Sequence, residues 1–271
     1  MWHKILNTSI YVLSGILGVL AFTYPFFLPG AQEGAMGLAH SQDAPLVTAA
    51  LVGLSLIALL VELQGQSISA KIVAMLGVLV AITSVLRFIE VAIPMPGGFS
   101  PIFAPIILAG YVFGGRFGFL MGSFTMLTSA LVTGGVGPWL PYQMFTAGWV
   151  GLTAGWVAFL VPPAAQPGRN ILMVSILSAF GFAWGLIYGV IMNVYFWPYA
   201  LGPAEQSWTP GISLGEVLGR YGAFYAVTSL GWDVVRSLGN VLLLATLGAP
   251  VIRALARFRR RFFFQSDGRS L

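Results

Sequence analysis

Runs of about 20 mostly apolar residues recur along this chain, and each is long enough to cross the hydrocarbon core of a bilayer as a helix. Eight can be drawn, at roughly 5–28, 45–63, 68–93, 101–115, 116–134, 139–162, 170–196 and 218–250. Only 8% of the 271 residues are charged and 58% are apolar, where a soluble domain carries about 25% charge. A water-facing globule cannot be built from that composition, because its surface would lack charge. The expected fold is an all-α, polytopic membrane bundle. The fourth span is short and bounded by Pro101 and Pro105, so it is expected to be tilted, broken or partly re-entrant. Breaker clusters at Pro94-Met95-Pro96-Gly97-Gly98 and at Thr133-Gly134-Gly135-Val136-Gly137-Pro138 each end a helix and turn the chain. Longer polar loops fall at about 30–44 and 197–217, and no stretch is left over for a soluble domain.

Charge placement predicts the orientation. With the N-terminus inside, the cytoplasmic segments hold Lys4, Lys71, Arg116, Arg169 and six arginines from Arg253 onward, while the outer segments hold only Arg220. This asymmetry requires an even number of spans and puts both termini in the cytoplasm. A basic tail beside an apolar helix points to the membrane face rather than to nucleic acid. The first apolar stretch is too long for a signal peptide and reads as a retained helix. The first two spans carry few polar residues. Residues 1–66 are therefore read as an accessory N-terminal transmembrane hairpin, and residues 67–271 as a six-helix solute-binding core with a basic cytoplasmic tail.

Three constellations stand out within that core. The first is charge inside the apolar spans, where such residues usually face a bundle interior. Arg87 and Glu90 lie three apart, as do Asp233 and Arg236, with Asn240 one turn further on. Each pair is either a self-neutralising clamp between helices or a contact for a polar solute. The second is small-residue spacing: Ala70, Ala74, Gly77 and Ala81 on the third span, Gly114, Gly118 and Gly122, and Gly181, Gly185 and Gly189. Such stripes let helices approach closely. The alanine stripe serves either internal packing or a partner subunit. The third is a rim of Phe99, Trp139, Tyr142, Gln143, Asn193, Tyr195, Trp197 and Trp208 near the outer ends of spans. It is read either as an interfacial aromatic belt or as the walls of an outward-facing pocket.

Several chemistries are missing. There is no cysteine, which removes disulfides, thiolate catalysis and Cys-ligated metals. The two histidines, His3 and His40, lie near or outside the membrane boundary, and no hydrolase, metalloprotease or phosphate-loop motif is present. No catalytic residue, metal site or cofactor is expected. Any active transport would draw its energy from a partner or an ion gradient.

The stretch from Ser100 to Gly155 contains Ser100-Pro101-Ile102-Phe103, Gly110-Tyr111-Val112-Phe113-Gly114, Arg116-Phe117-Gly118-Phe119 and Thr133-Gly134-Gly135-Val136-Gly137-Pro138-Trp139-Leu140-Pro141-Tyr142-Gln143. With Trp232-Asp233 and Arg236-Ser237-Leu238-Gly239-Asn240, it resembles the substrate-specific S components of energy-coupling factor (ECF) vitamin transporters over residues 68 to about 250. The resemblance implies a six-helix bundle that captures a vitamin from outside. It also implies docking on a transmembrane T protein and two cytoplasmic ATPases, and the stripe of Ala70, Ala74, Gly77 and Ala81 matches the family's docking pattern. The Gly-Gly-Val-Gly-Pro-Trp-Leu-Pro-Tyr-Gln segment looks most like members that take cobalamin or related corrinoids; riboflavin, thiamine and other precursors stay open. The extra hairpin departs from the six-helix pattern. The expected solute contacts are Arg87, Glu90, Phe99, Trp139, Tyr142, Gln143, Asn193 and Trp197, with Asp233, Arg236 and Asn240 bracing the bundle or lining its floor. A rival reading is a proton-coupled secondary transporter with Glu90 or Asp233 as relay, although no inverted repeat of spans is evident. A membrane enzyme would need a catalytic group that the sequence does not display.

Overall fold

A computed structural model of the protein describes residues 2–27, 70–93, 96–161 and 167–263, with isolated positions between 46 and 57. Eight helices are found among the described residues: α1 (Trp2–Thr23), α2 (Ala70–Ala92), α3 (Phe103–Phe113), α4 (Gly115–Thr133), α5 (Leu140–Leu160), α6 (Pro167–Phe196), α7 (Leu214–Thr228) and α8 (Leu230–Phe263). No strand occurs among them, and the fold is an all-α membrane bundle. Three helical stretches are long and apolar enough to cross a membrane: Lys71–Ala92, Ile171–Tyr199 and Leu230–Arg260. The second helix expected for the N-terminal hairpin, at 45–63, lies outside the described residues apart from those isolated positions.

The short α3 is the centre of the bundle. Its side chains are apolar on every face, and all but Pro105 and Phe113 are buried, as a helix without a polar face requires. It ends at Gly114, whose φ of 99° lets the chain enter α4 at the next residue. The fourth and fifth apolar runs of the sequence are thus separate helices joined by a single glycine.

Glycine lets α3, α4 and α5 touch backbone to backbone. A methyl group at Gly110 or Gly118 would collide with the carbonyl of Gly151, and one at Gly122 with that of Ala147. Helix α2 packs on α4 through Ile72, Leu76, Val80, Thr83 and Ser84, which are buried at helical spacing. Its opposite side leaves Val78, Ile82 and Val85 more than half exposed, a surface suited to lipid.

The last predicted span, 218–250, is divided. Ser213 and Glu216 form a capping box that starts α7 early, with the Ser213 hydroxyl accepting from the Glu216 amide at 3.3 Å. Ser229, at φ −140° and ψ −15°, then breaks the helix, and α8 begins at Leu230 and runs on into the basic tail. Near its end, Arg259 donates to the carbonyl of Val112 at 2.7 Å, satisfying a carbonyl in the last turn of α3. Arg259 therefore shares one end of the bundle with the start of α4 and Arg116, as the charge asymmetry requires.

Because Gly118 faces backbone rather than a movable side chain, Gly118→Ala is expected to lower stability by about 1–3 kcal/mol. Gly219→Ala on α7, where nothing lies within 4 Å of the added methyl, should be neutral or raise stability by less than about 1 kcal/mol. Thermal unfolding in detergent, followed by tryptophan emission, checks both.

Candidate solute-binding site

Helices α6 and α8 meet along the glycine stripe of α6, and polar residues of α8 fill the space the glycines leave. Gly181 faces Asn240, Gly185 faces Ser237, and Gly189 receives the carboxylate of Asp233. All three α8 residues are buried. The Asn240 amide donates to the Gly181 carbonyl at 2.9 Å. The Ser237 hydroxyl and the Asn240 carbonyl oxygen have no hydrogen-bond partner among the described residues.

Asp233 anchors a wider network. It is ion-paired with Arg236 one turn along and accepts from the Ser229 hydroxyl at 2.9 Å. Asn193 donates to that hydroxyl at 2.6 Å and to the Gly189 carbonyl at 2.8 Å. The Arg236 guanidinium lies over the rings of Tyr188, at 5.2 Å, and Phe103, at 5.9 Å, a favourable cation–π setting. It also lies within electrostatic reach of Glu90. Glu90 pairs with Arg87 at 3.5 Å and accepts from Ser100 at 2.8 Å. The two charge pairs read separately in the sequence thus lie within electrostatic reach of one another and of Tyr188. Two acids and two bases together escape most of the penalty that each would carry alone in hydrocarbon.

Beside the cluster lies a cavity of about 490 Å³. The far end of α1, the end of α6, the loop at 208–212 and the start of α7 form the walls of this partly open cleft, and they are almost entirely apolar. Trp197, Trp208 and Tyr221 supply the aromatic surface, with Val194, Ile212, Leu214, Val217 and Leu218 between them. Trp197 is buried, donates its indole N–H to the Gln206 carbonyl at 2.8 Å, and meets the Tyr221 ring at 5.0 Å. Helix α7 joins the two places. Tyr221 lines the cavity, and Tyr225, one turn on, lies close enough to Asp233 to feel its carboxylate. At the start of α7, donation from the Ser213 amide and hydroxyl holds the Glu216 carboxyl below its usual pKa range, which keeps the cap charged near neutrality.

The expected contacts thus fall in different places. Arg87, Glu90, Asn193, Asp233, Arg236 and Asn240 belong to the polar cluster and its continuation along α8. Trp197 is the one member of the expected set that lines the cavity. Phe99 packs its ring on Gly239 of α8. Tyr142 is fully buried between Phe22 and Tyr195, with ring centroids at 4.9 and 4.7 Å. Trp139 is 43% exposed and bonds the Gly135 carbonyl within its own turn, and Gln143 follows it, half-buried, on the first turn of α5.

The sequence reading passed over Phe26, Tyr188, Tyr221 and Ser229. Tyr221 and Tyr225, spaced four apart ahead of Asp233, carried a signal; Phe26 was hidden by reading the first helix as an accessory. On the partner side, Ala74, Gly77 and Ala81 are exposed, and nothing described lies within 4 Å of a methyl added at Gly77. Ala70 begins α2, and its side chain is outside the described set.

A family model described as "ECF transporter, substrate-specific component" matches residues 71–248, more than half of the chain. No curated protein and no solved structure matches.

Asp233→Ala would strand the Arg236 guanidinium among rings, and breaking a buried pair in this way costs about 3–5 kcal/mol. Arg87→Ala, at a side chain 25% exposed, should lose less. Adding Arg236→Met to Asp233→Ala should recover part of the loss, read as the fraction of protein that stays monodisperse after a heat step.

Proposed function

The chain belongs to the family of ECF transporter substrate-specific components, and from that premise we propose that it captures a small heterocyclic solute of the vitamin or vitamin-precursor class from outside the cell. The observation that carries this is the apolar, aromatic cavity of about 490 Å³, whose lining residues Val194 and Tyr221 are next to Asn193 and one turn from Tyr225 of the polar network, respectively. Its volume lies within the range of about 300–1,000 Å³ usual for small-molecule sites. Apolar walls with a few polar groups nearby favour a ring compound whose flat faces stack and whose edge carries hydrogen-bonding atoms. That size suits a single heterocycle with a short chain better than a corrin macrocycle, so we favour a neutral, riboflavin-sized guest over cobalamin and over the cationic thiamine.

In this reading Trp197, Trp208 and Tyr221 hold the ring. Asn193 and the Asp233–Arg236 pair lie beyond Tyr225 and serve the polar edge, or brace the walls that hold it. Asn240, whose buried carbonyl oxygen lacks a partner, lies against Gly181, more than three turns of α6 from Val194, and braces the bundle rather than the cavity. An unpaired buried acceptor costs about 1–3 kcal/mol, so a water donor there is favourable. Close pairing of Asp233 with Arg236 argues against a proton relay, because the acid would have to give up its cation each time it took a proton.

Family membership implies a T protein and ATPase subunits as partners in the membrane. We place the docking face on the exposed side of α2, along Ala74, Gly77 and Ala81, with Ala70 at its start. The charge asymmetry puts that start, beside Lys71, on the cytoplasmic side.

The purified chain in detergent should bind riboflavin in preference to thiamine and cobalamin, with a dissociation constant below about 1 μM, a binding free energy beyond about −8 kcal/mol. Trp197→Ala should weaken it at least about tenfold. Calorimetric silence for all three would remove the solute reading. Separately, Gly77→Leu should leave binding unchanged while abolishing uptake in cells that contain the ATPase module; unimpaired uptake would move the docking face elsewhere.

A further inference from the structure

The cavity has a wall that the family-matched segment does not provide. Thr23, Phe26 and Phe27 line it, and all three precede residue 71, where the match begins. We propose that α1 is a fixed wall of the solute chamber and that Phe26 helps set which planar ring the chamber accepts. This rests on the reading of the cavity as the solute site, which it deepens.

The first argument is that α1 is seated in one register. Tyr11, Gly18 and Phe22 fall at helical spacing on one face. The ring of Tyr11 meets Phe119 edge-on at 5.6 Å, and Phe22 meets Tyr142 at 4.9 Å and Trp149 at 6.0 Å. At Gly18 the rings of Phe145 and Trp149 occupy the place where a methyl group would stand, 2.8 and 2.7 Å from it. Only glycine admits that approach, so the helix cannot slide by a residue without collision. The other face, with Val12, Ile16, Val19 and Leu20, is more than half exposed and suits lipid.

The second argument is how the helix ends. The Thr23 hydroxyl donates to the Val19 carbonyl at 2.8 Å. The next three residues, Tyr24–Phe26, form a tight 3-10 turn with Pro25 buried. That turn brings the Phe26 ring to 5.9 Å from Trp197 and 5.5 Å from Trp208. Phe26 thus stands against both tryptophans of the cavity. The remaining side is α7, through Leu214, Val217, Leu218 and Tyr221.

The chemistry of the wall defines the guest. Among the described residues no charged side chain lines the cavity, and the hydroxyls there are those of Thr23, Thr209 and Tyr221. A flat ring can stack on Phe26 and the indoles, where aromatic contacts add to the burial of area, while few hydrogen bonds are on offer. Trimming Phe26 would widen the cleft toward α1 and expose more of its wall.

The chain contains no cysteine, so a single Val194→Cys reports on the cavity without any ligand. Adding Phe26→Ala should speed labelling of that cysteine by a small maleimide severalfold, and Gly18→Leu, which pushes α1 off α5, should do the same. Phe159→Ala, at a side chain 84% exposed on α5, should change nothing. Equal labelling with and without Phe26 overturns the wall. For the specificity role the probe is riboflavin, and Phe26→Ala should weaken its binding by about tenfold, or about 1.4 kcal/mol. Unchanged affinity would leave α1 a wall without a role in selection. If riboflavin binds neither protein while labelling rises as expected, the wall stands and the assignment of the cavity to that solute falls.

Discussion

The seating of the Asp233 carboxylate on Gly189 is the contact around which the rest of this bundle is arranged. A carboxylate in an apolar span needs a cation and donors. Arg236 provides the cation from the same helix, Ser229 donates from the break just before it, and Asn193 secures the serine from α6. None of this fits unless α6 presents bare backbone at that height. The glycine at 189 is therefore part of the electrostatics as much as of the packing. Two turns further along, the same logic places Asn240 against Gly181. Helices in lipid lack the hydrophobic drive that joins them in water, so small residues and buried polar contacts take its place. At this seam both devices act at the same positions.

From that seam the molecule divides into a rigid part and a lightly held one. Backbone carbonyls of α5 lie against glycines of α3 and α4, leaving no slack for one helix to move without the others. Helix α7 is different. Leu214, Leu218 and Val227 are more than 60% exposed, and Gly215, Gly219 and Gly222 have open space where a side chain would stand. It is held along one side, by the Tyr221 hydroxyl on the Val190 carbonyl, Arg220 on the Ser207 carbonyl, the Thr228 hydroxyl on Asn193, and the rings of Tyr221 and Phe224 against Trp197 and Phe196. Local opening is drawn from elements with few buried contacts. With Phe224 its one buried residue, α7 is the wall that also carries Tyr225 toward Asp233.

Much of the architecture was legible in the sequence, because lipid imposes one rule on every span: about 20 apolar residues in a helix. The glycine spacings announced close helix contacts, and Gly118, Gly122, Gly181, Gly185 and Gly189 all make them. What the sequence hid was which faces meet. Arg87 and Glu90 look like one local pair and Asp233 and Arg236 like another, since a three-residue spacing is visible in a string. Their junction around Tyr188 depends on how α2, α6 and α8 cross, and no local pattern encodes that. Tyr142 and Trp197 looked alike as rim aromatics. One is locked between Phe22 and Tyr195 while the other lines a cavity, a difference decided by the packing of α1, a helix that shows only a lipid-compatible run in the sequence. The break at Ser229 was equally hidden, because apolar residues continue on both sides of it.

The arrangement of charge bears on what the chamber can hold. The four charges near Tyr188 cancel, and each has a partner of opposite sign within the protein. A solute with a net charge entering the cavity would have to give up its water without gaining an unpaired counter-ion, and an unpaired charge in a low-dielectric site is strongly disfavoured. A neutral ring loses little water from its faces and recovers dispersion contacts with the indoles and Phe26. Polar groups on its edge can borrow hydrogen-bonding capacity from a network that is already neutral and therefore does not have to rearrange its charges. Discrimination by such a site runs on shape and desolvation rather than on long-range attraction. Changes that enlarge the cavity would then broaden the range of accepted rings, while changes to the charge cluster would disturb the bundle before they altered selection.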